Sequence, residues 1–239
     1  MRVLWIGNSH TFFHDMPELT ALLYKAGTGE HMETTMLTHP GVDWEWHIEQ
    51  YYELRFNLKY GHYDYCILQQ VAHPFPGEET TMEFGKQLID MCNAAGVKPI
   101  VTTTWAKKIE PENQQIMTDT YKKLAVKTGA MLSPLGEIWQ AVQREYPEIE
   151  LYHKDGAHAS VYGAYLNACC NYMVLSGQSC VGLPNIGKDF IKDISQEKLR
   201  KQVTGIADEV DIELDVDICR KIQKIVNEVC ERVKQNMQM

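Results

Sequence analysis

Two kinds of stretch alternate along the chain. Short apolar runs, with Val3-Leu4-Trp5-Ile6 the first, suit strands covered on both faces, as in a parallel sheet. Between them apolar residues recur three and four apart, the period of a helix with one buried side. Strands are expected over 3–6, 33–38, 65–68, 98–104 and 130–132. The helix after the first strand opens at Asp15-Met16-Pro17-Glu18, a capping Asp with Pro in the first turn, and buries Leu19, Leu22, Leu23 and Ala26. Asp43 caps the next, with Trp44, Ile48, Tyr51, Tyr52 and Leu58 inward. Thr80-Thr81-Met82-Glu83 reads as a capping box for a helix carrying Leu88, Ile89, Cys92 and Ala95, which Gly96 stops. Pro111 starts a helix to about Thr128, and Ser133-Pro134 opens another with Ile138, Ala141 and Val142. A last core helix carries Val161, Ala164, Tyr165, Ala168, Cys169, Tyr172 and Met173. This alternation argues for one α/β domain over 1–183, a parallel sheet with helices on both faces.

Beyond it, 184–217 is polar and acid-rich, with Ile194, Leu199 and Val203 as weak helical anchors. From Ile218 the spacing Ile222, Ile225, Val226, Val229 and Val233 gives a strong amphipathic helix. The expectation for 184–239 is a helical extension packed on the same domain; the alternative is a homodimer seam through that helix.

Composition narrows the function classes. A chain of 239 residues with a formal charge of -9 argues against a nucleic-acid partner or an anionic membrane surface. No run of 18 apolar residues spans a bilayer. The N-terminus carries no secretion-signal pattern, and seven cysteines form no disulfide framework. Both point to a reducing, cytoplasmic setting.

The chemistry gathers at strand ends. Gly7-Asn8-Ser9 follows the first strand, so Ser9 is presented at the carboxyl edge, where ligands bind in open α/β sheets. A serine there is either an ordinary turn residue or a nucleophile. A nucleophile needs an imidazole to take its proton, a carboxylate to fix that imidazole's tautomer, and donors for the oxyanion. Asp155 and His158 supply the middle pair. Three apart on the first turn of the last core helix, they share a face. Gly41 after the second strand and Gln69-Gln70 after the third fall at the same edge. No Gly-x-Ser-x-Gly elbow is present, which excludes the α/β-hydrolase arrangement.

Weaker candidates stand beside these. His10 and His14 are four apart and read as metal ligands or, preferably, as solvated loop histidines. Trp105, after the fourth strand, and His73 and Phe75, after the third, either stack on a sugar ring or pack against their loops. Cys169 and Cys170 read as core thiols.

Ile6-Gly7-Asn8-Ser9, Gly41 and Asp155-Gly156-Ala157-His158, with the small-residue helix behind the last, resemble the blocks of the SGNH (or GDSL-like) hydrolases over about residues 2 to 178. The resemblance implies a three-layer α/β/α, flavodoxin-like sandwich with a shallow active site. It implies a serine esterase acting on acetyl or short acyl groups, often on carbohydrates or lipids, with no metal or organic cofactor. Carried over, Ser9 is the nucleophile, His158 the base and Asp155 its orienter. The Ser9 and Gly41 N–H groups are oxyanion donors. Two departures stand out: Asn8 replaces the Asp of Gly-Asp-Ser, and the third block lacks its Asn. Gln69 is the first choice to supply that donor and Gln70 the second. Two rival readings are a flavodoxin-like domain cradling a phosphate on Gly7–Thr11, and a glycan-binding relative that has lost the oxyanion donor.

Overall fold

The computed structural model describes residues 1–190 and 209–237. Five strands, β1 (Arg2–Gly7), β2 (Glu33–Thr38), β3 (Tyr65–Leu68), β4 (Lys98–Thr102) and β5 (Met131–Ser133), form one parallel sheet in the order β2-β1-β3-β4-β5. Strand side chains alternate between the two faces, and the core divides accordingly. Val3, Trp5, Ile67 and Ile100 cluster with Met16 and Leu175. Leu4, Ile6, Cys66, Leu68 and Val101 join the larger cluster with Leu88, Ile89 and Leu124. Helices α1 (Ser9–Phe12) and α2 (Met16–Thr28), joined by a 3-10 turn, follow β1. Then come α3 (Trp44–Glu49), α4 (Tyr51–Tyr60), α5 (Glu78–Ala94), α6 (Asn113–Thr128), α7 (Leu135–Glu145) and α8 (Val161–Ser176). The α2–α8 pair and the α5–α6 pair give the sheet its two helical layers, a three-layer α/β/α sandwich.

Several boundaries differ from the sequence expectation, for local reasons. The second helix is two, because Gln50 leaves the helical region at ψ 47°. Tyr51 and Tyr52, expected inside, are exposed on α4, where only Leu54 and Leu58 are buried. The helix at the Thr80 box begins two residues earlier, at Glu78, after Gly77 in a positive-φ conformation, and no side chain caps it. Ala26 and Ala95 lie on the solvent side of their helices.

After α8 the chain makes an antiparallel ribbon of β6 (Ile186–Phe190) and β7 (Glu209–Glu213), where helix alone was expected. Lys188 stands opposite Asp211 across it, and its buried ammonium meets Asp211 and Glu18, both at 2.9 Å. Ile194, Leu199 and Val203 lie outside the described residues. The final helix, α9 (Val216–Met237), packs on α7 and α8 of the same chain. Its stripe Ile222, Ile225, Val226, Val229 and Val233 is buried there. No helix among the described residues is long and apolar enough to cross a membrane, and all seven cysteines are free thiols.

Candidate active site

The parallel sheet brings the ends of β1, β2 and β3 to one edge, and a loop from 149 residues further on meets them there. Ser9 Oγ lies 2.7 Å from His158 Nε2, and His158 Nδ1 lies 2.7 Å from Asp155 Oδ2. A carboxylate only accepts, so Nδ1 carries the proton and Nε2 is left to accept from the serine hydroxyl.

Asp155 and His158 do not sit on a helix, as the three-residue spacing suggests; α8 begins only at Val161, behind an N-cap at Ser160. They occupy the tip of a tight loop closed by the Tyr152–Ala159 bridge and by His153 N–H donating to His158 O at 2.8 Å. Gly156, at φ 69°, makes the turn. Asp155 Oδ1 accepts from Ala157 N–H and His158 N–H at 2.9 and 3.0 Å, an Asx turn that aims Oδ2 at the imidazole. Burial resists ionisation of this carboxyl. The Ala157 and His158 N–H groups and the His158 and His153 rings outweigh it and hold the pKa far below the usual carboxylate range.

The turn carrying Ser9 is held as tightly. Asn8 N–H and Thr11 Oγ1 donate to Gln69 Oε1 at 3.1 and 2.9 Å. His47 Nε2–H donates to Gly7 O at 2.8 Å. A Cβ on Gly7 would overlap Thr11 Oγ1 and Gln69 Oε1, so only glycine lets these groups close on the strand end. Asn8 Nδ2 donates to Val42 O at 2.9 Å, which ties the loop carrying Gly41, at φ 72°, to the serine. Neither Ser9 N–H nor Gly41 N–H has a partner among the described residues.

The side-chain amide of Gln69 has partners at both ends. Its oxygen serves the Ser9 turn and its nitrogen faces Gln70 O. Gln70 differs: Oε1 accepts from Trp44 N–H and Val71 N–H, both at 2.9 Å, while Nε2 is buried without a partner. Neighbouring positions at a strand end project to opposite sides, so the choice between two adjacent amides turns on geometry. Gln69 meets the turn that carries Ser9, and Gln70 meets Trp44 at the start of α3.

The fold in which these groups meet has known counterparts. No family model and no curated protein matches the sequence. Among solved structures, a DUF4886 family protein from Bacteroides uniformis aligns over 97% of this chain and 95% of its own, at TM-score 0.70 and 16% identity. A putative GDSL-like lipase from Parabacteroides merdae covers 74% of this chain and 95% of its own, with TM-score 0.59 and 15% identity. The psychrotrophic esterase EstA from Pseudoalteromonas sp. covers 74% and 97%, with TM-score 0.58 and 12% identity. The fold is that of the GDSL-like hydrolases. In this GDSL-like fold, the share aligned with the Bacteroides protein extends well past residue 183.

The pocket-wall candidates divide. Trp105 is buried, stacked on Trp139 with centroids 4.3 Å apart, and its Nε1–H donates to Ala157 O at 2.8 Å. It props the His158 loop and offers no face to a sugar. Phe75 packs edge-on to Tyr121 against the core. His73 is half-buried beside His10, their ring centroids 5.0 Å apart. Burial, then Lys107 and His158, press its pKa down to about 4.

His10 and His14 are neither solvated nor paired on a metal. Among the described residues no three His, Cys, Asp or Glu side chains converge as a metal site. His14 lies 3.0 Å from Lys188 O and 3.2 Å from Ala159 O, joining the ribbon to the His158 loop. His14 and Asp15 take φ values of 57° and 41°, a left-handed pair costing of order 1–3 kcal/mol each. The His14 contacts, and the Asp15 carboxylate capping α2 through Glu18 N–H, offset that strain. His10 is buried 4.9 Å from the His158 ring. Burial, then His73 and His158, hold its pKa well below the usual imidazole value. No sequence spacing reveals these neighbours, because each contact crosses elements.

Proposed function

We propose that the chain is a serine-dependent carboxylic ester hydrolase that removes acetyl or other short acyl groups from a carbohydrate-like alcohol. The observation that carries this is the unbroken relay Asp155 Oδ2–His158–Ser9 Oγ, with 2.7 Å at both links. His158 Nε2 takes the hydroxyl proton as Oγ attacks the acyl carbon, and the carbonyl electron pair moves onto oxygen. The Ser9 and Gly41 N–H groups and Gln70 Nε2 stabilise that oxyanion. The proton then passes to the leaving alcohol, and water activated by the same imidazole resolves the acyl-enzyme. His73, half-buried beside His10, is the residue assigned to contact the alcohol.

The phosphate-cradle reading requires free N–H groups along Asn8–Thr11. Three of the four already have acceptors, in Gln69 Oε1, Asn8 Oδ1 and Asn8 O. The deciding experiment is hydrolysis of p-nitrophenyl acetate and of acetylated sugars by wild type and Ser9→Ala, with fluorophosphonate labelling read by intact mass. Wild-type turnover abolished in Ser9→Ala, and one adduct on Ser9, are expected. An inactive, unlabelled wild type that still binds glycans would instead favour the non-catalytic reading.

A further inference from the structure

The relay occupies the two nitrogens of His158 and leaves its two ring faces unexplained. Phe13 lies over the ring with centroids 4.2 Å apart and planes 17° from parallel. His10 stacks on it at 4.9 Å and 30°. Two rings at these distances cannot share one face of an imidazole, so they enclose it. A cation within about 6 Å of an aromatic face is attracted to the ring's quadrupole, more strongly where water is excluded. An imidazole that takes the Ser9 proton becomes cationic as it does so, and such faces act on the transition state more than on the ground state.

We infer that Phe13 and His10 are positioning residues whose faces stabilise the imidazolium that His158 becomes as it takes the Ser9 proton. This rests on the serine-hydrolase reading and deepens it. The backbone is built to the purpose: consecutive left-handed residues at His14 and Asp15 turn the chain sharply just after Phe13, and His14 reaches Ala159 O beside the same loop. On the other face, burial keeps His10 uncharged, so it presents a neutral ring and not a like charge. The titratable and charged groups around His158 are Asp155 and His153 on its own loop, His10 on α1, and His73 after β3 with Lys107 behind it. Phe13 is the uncharged member of this shell. Changing its ring leaves that set of charges intact.

The test replaces Phe13 with phenylalanines bearing one, two and three ring fluorines, which drain the face of negative charge with little change of shape, and with Leu. Two quantities are read: the acid limb of kcat/KM on p-nitrophenyl acetate, and the midpoint of the His158 ring ¹³C titration by NMR. Across the series both midpoints are expected to move to lower pH together, by about 0.4–1.5 units at the far end. kcat/KM should fall about two- to thirtyfold. Fluorinated variants that all sit at wild-type values in both readouts overturn the inference, even where Phe13→Leu slows the enzyme, because only shape would then matter. Full hydrolysis by Ser9→Ala would sink the serine reading separately. The NMR arm needs no turnover and decides whether the Phe13 ring favours the cation.

Discussion

Asp155→Asn puts the relay to its sharpest test, because the loop leaves the new amide a single orientation. Oδ1 of Asp155 accepts from the N–H groups of Ala157 and His158, and only an oxygen can fill that position. The amide nitrogen of Asn must therefore face His158 Nδ1, now 2.7 Å from Oδ2. Nδ1 is forced to accept, the ring proton moves to Nε2, and Nε2–H points at the serine oxygen it should deprotonate. A base in the wrong tautomer loses about 10⁴ in kcat, equivalent to about 5.4 kcal/mol of transition-state stabilisation. The fold should hardly register the change. The two backbone bonds survive, and the side chain is 40% exposed, so solvent screening limits the stability loss to about 1 kcal/mol, or about 2–4 °C in Tm at this size. The assay is saturating hydrolysis of p-nitrophenyl acetate beside a thermal melt by circular dichroism. A folded Asp155→Asn with kcat within tenfold of wild type would refute the tautomer argument and with it Asp155's role.

Three further outcomes follow from particular contacts. Gln69→Ala leaves buried Asn8 N–H and Thr11 Oγ1 without their acceptor, at about 1–3 kcal/mol per group, so urea denaturation should show a loss of about 2–6 kcal/mol. Gln70→Glu keeps an acceptor for Trp44 and Val71 N–H and puts a buried carboxyl oxygen where the free donor stood. It should lower kcat by about 10²–10³, and unchanged turnover would return the oxyanion to another group. Trp105→Phe preserves the stack on Trp139 but takes the donor from Ala157 O. The expected loss is about fivefold in kcat/KM, equal on p-nitrophenyl acetate and on an acetylated sugar; a loss confined to the sugar would make Trp105 a substrate platform after all. Finally, burial lowers the pKa of His10, His14, His47 and His73. Below the ordinary imidazole value the unfolded chain binds protons that the folded one refuses, so stability falls with falling pH. For His73 the window runs from about pH 6.5 down to about 4. Urea midpoints that stay level between pH 7 and 4.5 would contradict this.

The sheet was legible in the residues because a strand buried on both faces leaves an unbroken apolar run, and Val3 to Ile6 is one. Helix positions were legible and their faces less so. Tyr51, Tyr52, Phe56 and Tyr60 repeat at helical spacing yet lie exposed on α4, since period alone does not say which side meets the sheet when both sides carry aromatics. The ribbon of β6 and β7 escaped notice because its strands are five residues long and one of its buried positions is Lys188. An ammonium is read as solvated until its two carboxylate partners are seen.

The candidate site divides along a different line. Ser9, Asp155 and His158 could be named because their chemistry restricts the residue types, and a strand end restricts where a nucleophile can stand. Their spacing argument was nonetheless wrong in mechanism. Asp155 and His158 meet through an Asx turn at a loop tip, and the helix behind them begins at Val161. What no pattern in the chain announces is the shell around them: Phe13 and His10 on the faces of His158, Trp105 under its loop, His14 between that loop and the ribbon. Those roles follow from packing between segments far apart in the chain, where an aromatic or a histidine is common and no residue type is forced. A candidate reacting group can thus be read from its chemistry, while its neighbours become visible only when the fold sets their faces and carbonyls against it.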